Sequence, residues 1–411
     1  MPTHPGKVVV KLERALYNHS SMTVSVRSFA KINLGLRIGA SRPDGFHELL
    51  TVYQTIGLHD LIRVSVERGS GIEIVCADPR VPRDASNTCY RIVERAMAAL
   101  RAKGRAVIEI EKRLPVQGGM GGASANAVVT LLALERALRK ALPAAERLRI
   151  AADVGSDLPL FLVGGTVLGV GRGEQVYPLP DFPASACVVV TPEIGVSTPK
   201  AFVEWDRRQG LKPTSSGSDA GLKARSSTTS SAASIGAGQT SASLRLAGTD
   251  EGVHPHTTPA HTTAPHLSHS HTSRLHTTER DRAKLTTSGG SGRMNELGYG
   301  LSAWLSEWYS GAPFRRGRAE NPLLALVRAG IKNDFEEVVF PEYPELSSGK
   351  RALLRAGAKY ASLSGSGSTL YGLFGSREAA VRAAGRLRKA GWAAQVTSTL
   401  NRRAYWRRVV G

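Results

Sequence analysis

A glycine-rich segment in the first third of the chain has the residue types of a phosphate-binding loop. It reads Pro115, Val116, Gln117, Gly118, Gly119, Met120, Gly121, Gly122, Ala123, Ser124, Ala125 and Asn126, and an apolar helix pattern follows. Glycine lets the backbone approach a ligand closely, and a helix N-terminus offers unpaired N–H groups and a positive dipole end. The segment matches neither GxxxxGK[ST] nor GxGxxG. Spacing alone supports a phosphate cradle and a structural turn capped by Ser124 about equally.

Two charged residues lie among apolar neighbours, where burial can tune their pKa values. Lys31 lies on a predicted strand, and Asp157 opens an apolar run after a predicted helix. A half-buried lysine can stabilise negative charge, and a carboxylate can act as a general base. For Lys31, an edge-strand lysine that discourages aggregation is the commoner case. For Asp157, a helix N-cap is the alternative, and both alternatives stay open.

A second segment rich in glycine and serine, residues 364–369, lies between two predicted strands. It can form another anion-binding turn or a plain hairpin.

The composition is that of a soluble globular protein long enough for two domains. Of its 411 residues, 41% are hydrophobic and 21% charged. The chain contains no apolar run of roughly 20 residues, and its first residues do not resemble a secretory signal. Cys76, Cys89 and Cys187 form no CxxC pair, which argues against a disulfide framework or a cysteine zinc site and favours the cytoplasm.

The net charge of +20 has three interpretations. Arginines scattered over solvated faces are the simplest, and we favour this interpretation. A basic surface can also attract phosphorylated substrates or bind nucleic acid. The densest basic run is Arg402, Arg403, Arg407 and Arg408, which surrounds an aromatic pair.

Hydrophobic periodicity predicts strands and helices in both halves of the chain, and therefore an α+β protein with two lobes. The predicted strands cover 23–67 with a turn at 43–45, and 71–77, 106–110, 360–363, 370–374 and 393–399. The predicted helices cover 87–102, 124–138, 321–329, 346–356 and 378–390.

A composition break divides the chain into four predicted parts. Residues 1–22 form an irregular N-terminal extension, and 23–185 form the N-terminal lobe. Residues 186–210 and 297–411 form the C-terminal lobe. Residues 211–296 are dominated by Ser, Thr, Ala, Gly and His, and we expect a disordered low-complexity insertion there. Seven of the eleven histidines lie in this insertion, without acidic or cysteine partners at metal-ligand spacing.

The order of these motifs resembles the GHMP kinase superfamily. Beside the glycine segment, the resemblance rests on AKINL (30–34), RPDGFHEL (42–49), GSDLP (155–159), GRGE (171–174), STPKAF (197–202) and NDFE (333–336). It implies an N-terminal lobe of the ribosomal-protein-S5 domain-2-like type, a ferredoxin-like C-terminal lobe, and an active site between them. It also implies an ATP-dependent kinase that phosphorylates a hydroxyl of a cytidine-diphosphate-linked sugar alcohol.

The resemblance assigns roles to named residues. Residues 115–126 would hold the ATP phosphates, with Ser124 as the nearest protein neighbour of Mg²⁺. Asp157 would take the proton from the substrate hydroxyl, and Lys31 would keep Asp157 ionised and stabilise the developing charge.

The substrate residues implied by the resemblance are Asn33, Phe46, His47, Thr198 and Phe202. Phe46 and Phe202 would stack on the cytosine, and His47 would hydrogen-bond its edge. The glycine segment departs from the family pattern because Gln117 and Ala123 replace glycines and Ala125 replaces a serine. We expect these changes to alter ATP affinity without removing the N–H cradle.

Two alternatives remain from the sequence. One is another GHMP-type kinase of the homoserine or mevalonate class, which would have no base to stack. The other is a basic nucleic-acid-binding protein that keeps the S5-like lobe. We expect ATP and a small molecule as ligands, and no nucleic acid or membrane partner. The sequence leaves the oligomeric state open.

Overall fold

The computed structural model describes residues 22–210, 291–310 and 331–410, together with Leu323 and Val327. The strands are β1 (Val24–Ser41), β2 (His47–Glu67), β3 (Gly71–Cys76), β4 (Arg105–Glu111), β5 (Thr166–Val170), β6 (Gln175–Pro178), β7 (Ala186–Val190), β8 (Tyr360–Leu363), β9 (Leu370–Phe374) and β10 (Ala394–Ser398).

The helices are α1 (Thr88–Ala99), α2 (Gly122–Leu138), α3 (Ala144–Val154), α4 (Pro159–Val163), α5 (Thr198–Arg208), α6 (Ser291–Ser310), α7 (Phe335–Glu342), α8 (Pro344–Arg355), α9 (Arg377–Lys389) and α10 (Arg402–Val410). The predicted helix at 321–329 falls almost entirely outside the described residues.

The first lobe is built on a sheet with the order β3-β4-β2-β5-β6, in which β1 also pairs with β2. The 21-residue β2 pairs with β4 near its end and with β5 nearer its start. The pairing of β3 with β4 is parallel, and the other pairings are antiparallel. The predicted strand, turn and strand over 23–67 are confirmed as β1 and β2.

Helix α2 is the central helix of this lobe. Its sequence is apolar on nearly all sides, and ten of its residues are buried. A helix of this kind belongs inside a core rather than at a surface. Val128 and Leu131 pack in one cluster with Ile62 of β2 and Ile108 of β4. This packing fixes the N-terminal end of α2 relative to β1 and β2.

The second lobe has a four-stranded antiparallel sheet with the order β10-β7-β9-β8. Helices precede β8 and connect β9 to β10, so the chain order is β-α-β-β-α-β. This is the predicted ferredoxin-like topology. The predicted strands at 360–363 and 370–374 coincide with β8 and β9.

The structure differs from two of the predicted domain boundaries. The insertion was expected to end at 296, but α6 begins at Ser291. Met294 approaches Gly39 of β1, and Leu297 is 4% exposed in a core cluster. The apolar side chains on one face of α6 therefore pack against the rest of the protein. The rest of the predicted insertion lies outside the described residues.

The C-terminal residues were assigned to the second lobe, but α10 packs on the first. Tyr405 and Val409 belong to the same cluster as β1, α2 and α4. The Tyr405 hydroxyl donates to the Phe161 carbonyl at 2.8 Å. The basic run of α10 thus alternates with residues that anchor it.

Within the described part of the chain, no helix is both long enough and apolar enough to cross a bilayer. Cys76, Cys89 and Cys187 are buried free thiols, and burial raises the pKa of Cys89 and of Cys187 to about 12.

Candidate active site

The glycine segment lies between β4 and the N-terminus of α2. Gly121 is the N-cap residue with φ +65°, a left-handed conformation that glycine adopts without strain. No described side chain caps this helix. Because helix N-termini leave backbone N–H groups unpaired, the start of α2 can bind an anion. Ser124 does not act as the cap that the structural-turn alternative required.

Lys31 points from β1 toward this segment. Its Nζ donates to Asn33 Oδ1 at 2.6 Å and to the Gly119 carbonyl at 2.8 Å, and its backbone N–H donates to the Met120 carbonyl at 3.0 Å. Lys31 is 5% exposed, so the edge-strand alternative does not apply. Burial lowers the pKa of Lys31 to about 8, and the charge of Asp157 opposes this shift.

Asp157 lies between α3 and α4, close to the start of α2. Its Oδ1 accepts a hydrogen bond from Ser124 Oγ at 2.5 Å. A methyl group added at Gly121 would lie 3.2 Å from Lys31 Cγ and 3.3 Å from Asp157 Oδ2. The two charged residues, 126 positions apart in sequence, therefore flank the same glycine.

The register of β1 changes on both sides of Lys31 and Asn33. Shifts fall between Phe29 and Lys31 and between Asn33 and Gly35. Such irregularities redirect side chains, and they are common beside active sites. Asn33 is 1% exposed, and its Nδ2 donates to Thr51 Oγ1 at 2.8 Å. Both ends of the Asn33 amide are thus occupied, and in this structure Asn33 positions Lys31.

Tyr53 is a site residue that the sequence did not indicate. Its ring centroid lies 5.8 Å from Lys31 Nζ, and its side chain is buried. Burial raises the pKa of Tyr53, and the negative charges of Asp157 and Glu174 raise this pKa further. A methyl group at Gly173 would lie 2.5 Å from the Tyr53 hydroxyl. The glycine of the GRGE motif was the one sequence signal for this close approach.

Asp60 is a second residue that sequence reasoning missed. It is fully buried in β2 and accepts hydrogen bonds from Lys112 Nζ at 2.6 Å and Asn126 Nδ2 at 2.9 Å. The backbone N–H groups of Arg113 and Leu114 also donate to it, each at 2.7 Å. Asp60 thereby ties the end of β4 to the first turn of α2 and fixes both ends of the glycine segment.

The second glycine-rich segment joins β8 to β9 and packs against the first. The Thr369 N–H donates to the Gly118 carbonyl at 3.1 Å, and Ser364 Oγ donates to the Gly119 carbonyl at 3.0 Å. Asn333 Nδ2 donates to the carbonyls of Leu363 and Gly365, at 2.9 and 2.8 Å. The segment is therefore a hairpin connection with a supporting role, and the asparagine of the NDFE motif holds it.

Of the predicted substrate residues, Asn33 lies beside Lys31, whereas His47 at the start of β2 and Phe202 on α5 lie together elsewhere. The rings of His47 and Phe202 are stacked, with centroids 4.9 Å apart and planes at 12°. His47 Nε2 lies 2.7 Å from Asp206 Oδ1, and Phe335 contacts Phe202 edge-on at 5.0 Å. His47 lies on the face of Phe202 here, whereas we expected it at the edge of a bound base.

Phe46 adjoins His47 in sequence, and Thr198 is the first residue of α5. Phe46 is 47% exposed, and the Arg172 guanidinium lies 5.0 Å from its ring centroid. Thr198 Oγ1 lies 2.7 Å from Ser366 Oγ in the second glycine-rich segment. The supporting hairpin is thus connected to the helix that carries Phe202.

Comparison with known proteins identifies the class to which this fold and site belong. The model described as "GHMP kinases N terminal domain" matches residues 87–165, and "GHMP kinases C terminal" matches 318–392. A protein of Solibacter usitatus named 4-diphosphocytidyl-2-C-methyl-D-erythritol kinase is 33% identical over 386 residues, which are 94% of this chain and 92% of that protein. The chain therefore belongs to the 4-diphosphocytidyl-2-C-methyl-D-erythritol kinase family.

Solved structures agree with this fold. A crystal structure of 4-(cytidine 5'-diphospho)-2C-methyl-D-erythritol kinase matches with a TM-score of 0.57 and 23% identity, covering 92% of this chain and 99% of that one. The homoserine kinase of Cytophaga hutchinsonii has a TM-score of 0.57 and 18% identity, covering 94% of this chain and 96% of that one. These likenesses show the shared fold. The predicted superfamily, the α+β fold class and the kinase class are confirmed, and the nucleic-acid-binding alternative is disfavoured.

Proposed function

We propose that the chain transfers the γ-phosphoryl group of ATP to the C2 hydroxyl of 4-diphosphocytidyl-2-C-methyl-D-erythritol, a step of isoprenoid precursor synthesis by the non-mevalonate route. The choice of substrate rests on the similarity to relatives that are named 4-diphosphocytidyl-2-C-methyl-D-erythritol kinase. The observation that supports the chemistry is the meeting of Lys31, Asp157 and Ser124 at the uncapped N-terminus of α2. Phosphoryl transfer needs these elements, because positioning and electrostatic stabilisation account for most of its catalysis.

Asp157 is the proposed general base. The substrate oxygen bonds to the γ-phosphorus, the bond from that phosphorus to the bridging oxygen breaks, and ADP leaves with the bond electrons. Asp157 takes the hydroxyl proton. Its hydrogen bond with Ser124 Oγ, at 2.5 Å, holds the carboxylate beside the phosphate cradle. The ammonium group of Lys31, fixed by Asn33 and the Gly119 carbonyl, offsets negative charge on the transferred group.

The α2 N-terminus is the proposed site for the ATP phosphates. Its uncapped backbone N–H groups and its dipole favour an anion. Lys112 adds a positive charge nearby, because its Nζ would lie 3.4 Å from a methyl group at Gly122. Asp60 holds this lysine and the first turn of α2 together.

The oxygen donors at this point suit Mg²⁺. Ser124 Oγ, which is hydrogen-bonded to the Asp157 carboxylate, is a hard ligand of the kind that Mg²⁺ takes in company with substrate phosphates. In the described ranges, no three His, Cys, Asp or Glu side chains gather as a metal site, so the phosphates would supply the remaining ligands. Bound there, Mg²⁺ would neutralise phosphate charge.

The His47, Phe202 and Phe46 group is the proposed cytosine pocket. Stacking on aromatic rings suits any nucleobase, and the cationic Arg172 beside Phe46 suits the diphosphate that follows the base. Because His47 covers one face of Phe202, the base would take the other face or replace His47.

We place the reaction in the cytoplasm, which the three buried free thiols support.

Release of ADP, measured in a coupled assay, tests this proposal. The full chain is incubated with ATP and Mg²⁺ and with the diphosphocytidyl substrate, mevalonate or homoserine in parallel. We expect turnover with the diphosphocytidyl substrate and at least about a hundredfold lower kcat/KM with the other two, because they lack a base to stack. Comparable kcat/KM for homoserine or mevalonate would overturn the substrate assignment and leave the phosphoryl-transfer chemistry in place.

A further inference from the structure

A cavity of about 370 Å³ lies on the first lobe, away from the candidate active site. It is bounded by the C-terminal half of α2, the connection to α3, the start of β1, and α10. Ser124 and Arg139 lie at opposite ends of α2, and 15 residues of helix span roughly 22 Å. The volume is within the range of small-ligand sites. The cavity is therefore spatially separate from the phosphate cradle.

The wall of this cavity is apolar. It is formed by the aliphatic side chains of Val26, Leu132 and Val409 and by the indole of Trp406. Trp406 is held in place because its Nε1 donates to the Val163 carbonyl at 3.0 Å. A preformed wall of this kind suits an aliphatic group, because contact between the two removes apolar surface from water.

The remaining lining is cationic. It consists of Arg136, Arg139, Lys140 and Arg147, with one carboxylate, Glu135. Glu135 is 5% exposed and already accepts hydrogen bonds from Arg147 Nε at 2.9 Å and from the Leu142 N–H at 2.7 Å. The excess of positive charge is thus not balanced within the cavity.

Two of these cations have no protein partner among the described residues. The guanidinium groups of Arg136 and Arg139 make no hydrogen bond or ion pair within residues 22–210, 291–310 and 331–410. Cations at a helix C-terminus compensate its dipole, which explains a preference for basic residues there. The dipole does not explain why the cations border an apolar cavity large enough for a ligand.

We propose that this cavity binds a small amphipathic organic phosphate, with its phosphate on Arg136 and Arg139 and its aliphatic part against Val26, Leu132 and Val409. Arginine suits phosphate because its planar guanidinium can donate two parallel hydrogen bonds. The aliphatic part is favoured over a nucleobase, because most of the apolar wall is aliphatic and the one acceptor side chain in the lining, Glu135, is already hydrogen-bonded.

Calorimetric titration of the full chain with hexyl phosphate tests this proposal. Saturating ADP is present to occupy the phosphate cradle, and inorganic phosphate and hexanol are titrated separately. We expect hexyl phosphate to bind at least about tenfold more tightly than hexanol, which lacks the charge-assisted hydrogen bonds, and than inorganic phosphate, which lacks the apolar contacts. Cytidine monophosphate, titrated with the diphosphocytidyl substrate also present, should bind more weakly than hexyl phosphate.

Two independent variants locate the site. The double variant Arg136→Gln/Arg139→Gln removes the phosphate contacts, and Ala141→Trp fills the cavity from an exposed position in its lining. Each should weaken hexyl phosphate binding at least about tenfold. The control Arg149→Gln/Arg382→Gln removes two exposed arginines outside the cavity and should leave binding unchanged.

Equal affinity in the control and in both cavity variants would overturn the proposal, and so would undetectable binding to the unmodified chain. Inorganic phosphate binding as tightly as hexyl phosphate would also overturn it, because the apolar wall would then contribute nothing. Binding is measured without turnover, so the result is independent of the proposed kinase reaction.

Discussion

The two glycine-rich segments of this protein are alike in their glycine content and differ in role. Residues 117–121 lead into α2, and residues 364–369 join two antiparallel strands. The first presents the uncapped end of a helix beside Lys31 and Asp157. The second packs its backbone against the first and holds it in place.

The difference lies in the element that follows each segment. A helix gathers unpaired N–H groups at its start, whereas a strand pairs its N–H groups with a neighbouring strand. Glycine is needed in both, for different reasons. In the first it permits a left-handed residue at the helix cap, and in the second it permits close contact between two backbones. Glycine content alone therefore does not identify a phosphate site.

If chemistry takes place beside the first segment, loss of the Asp157 carboxylate should have the largest effect. We expect Asp157→Asn to lower kcat by about 10²–10⁴, the usual contribution of a positioned base, with little change in either KM. Steady-state kinetics would measure it. Asp153→Asn, the same change at an exposed site on α3, should retain near-normal kcat. Near-normal turnover of Asp157→Asn would exclude the residue as the base.

The second segment contacts α5 through Thr198, and α5 also carries Phe202 of the proposed cytosine pocket. Phe202→Ala should raise the KM for the diphosphocytidyl substrate about 5- to 150-fold, which corresponds to about 1–3 kcal/mol of stacking. The KM for ATP should stay nearly constant. Val203→Ala removes an exposed neighbour on the same helix and should change neither KM. A rise confined to the ATP KM would reverse the assignment of the two pockets.

Contact between the two segments can be tested from both sides. A methyl group at Gly119 would overlap the Ser364 carbonyl, and one at Gly367 would lie 2.5 Å from the Gly119 nitrogen. We expect Gly119→Ala and Gly367→Ala each to cost about 1–3 kcal/mol of stability and to raise the KM for ATP. Thermal unfolding and ATP kinetics would show both effects.

The double variant should cost less than the sum of the two single variants, because both force apart the same contact. Gly375→Ala is the matched control, since a methyl group there has no neighbour within 4 Å. Full additivity would indicate that the two segments do not support each other.

The charge of Lys31 gives the first segment a pH dependence that the second lacks. With a pKa lowered to about 8, Lys31 is protonated below this pH and loses its charge above it. If the charged form is required, kcat/KM should fall about tenfold per pH unit above 8. Bound phosphates favour the charged form of Lys31. The alkaline decrease in kcat should therefore begin at a higher pH than the decrease in kcat/KM. A kcat/KM profile that stays flat up to pH 10 would contradict a role for this charge.

The smallest expected effect concerns Gln117, which has φ +62° in the first segment. A left-handed conformation costs a non-glycine residue roughly 1–2 kcal/mol, and glycine loses about 0.5–1 kcal/mol in entropy instead. Gln117→Gly should therefore raise the free energy of unfolding by up to about 1 kcal/mol, and the melting temperature should rise slightly. Gln395→Gly, on the extended strand β10, should lower it. A lower melting temperature for Gln117→Gly would show that the glutamine side chain is stabilising.

Much of the secondary structure and the family could be predicted because the signals are local. Strands β8 and β9 were predicted to the residue, since apolar runs are bounded by turn residues. Helix α1 was predicted from its spacing, and Asn87 caps it by accepting a hydrogen bond from the Cys89 N–H at 2.8 Å. The motif order was sufficient to recognise the superfamily. In each case neighbouring residues carry the information, so a linear sequence displays it.

The tertiary structure alone decided which residues meet. Asp60 and Tyr53 gave no local signal, because an isolated acid or tyrosine on a strand has no meaning until its partners are known. Those partners, Lys112 and Asn126 for Asp60 and the charges of Asp157 and Glu174 for Tyr53, come from other elements. The two glycine-rich segments were equally ambiguous for the same reason. Whether a backbone N–H group can bind a ligand depends on which acceptor lies within about 3 Å, and packing between distant parts of the chain determines that acceptor.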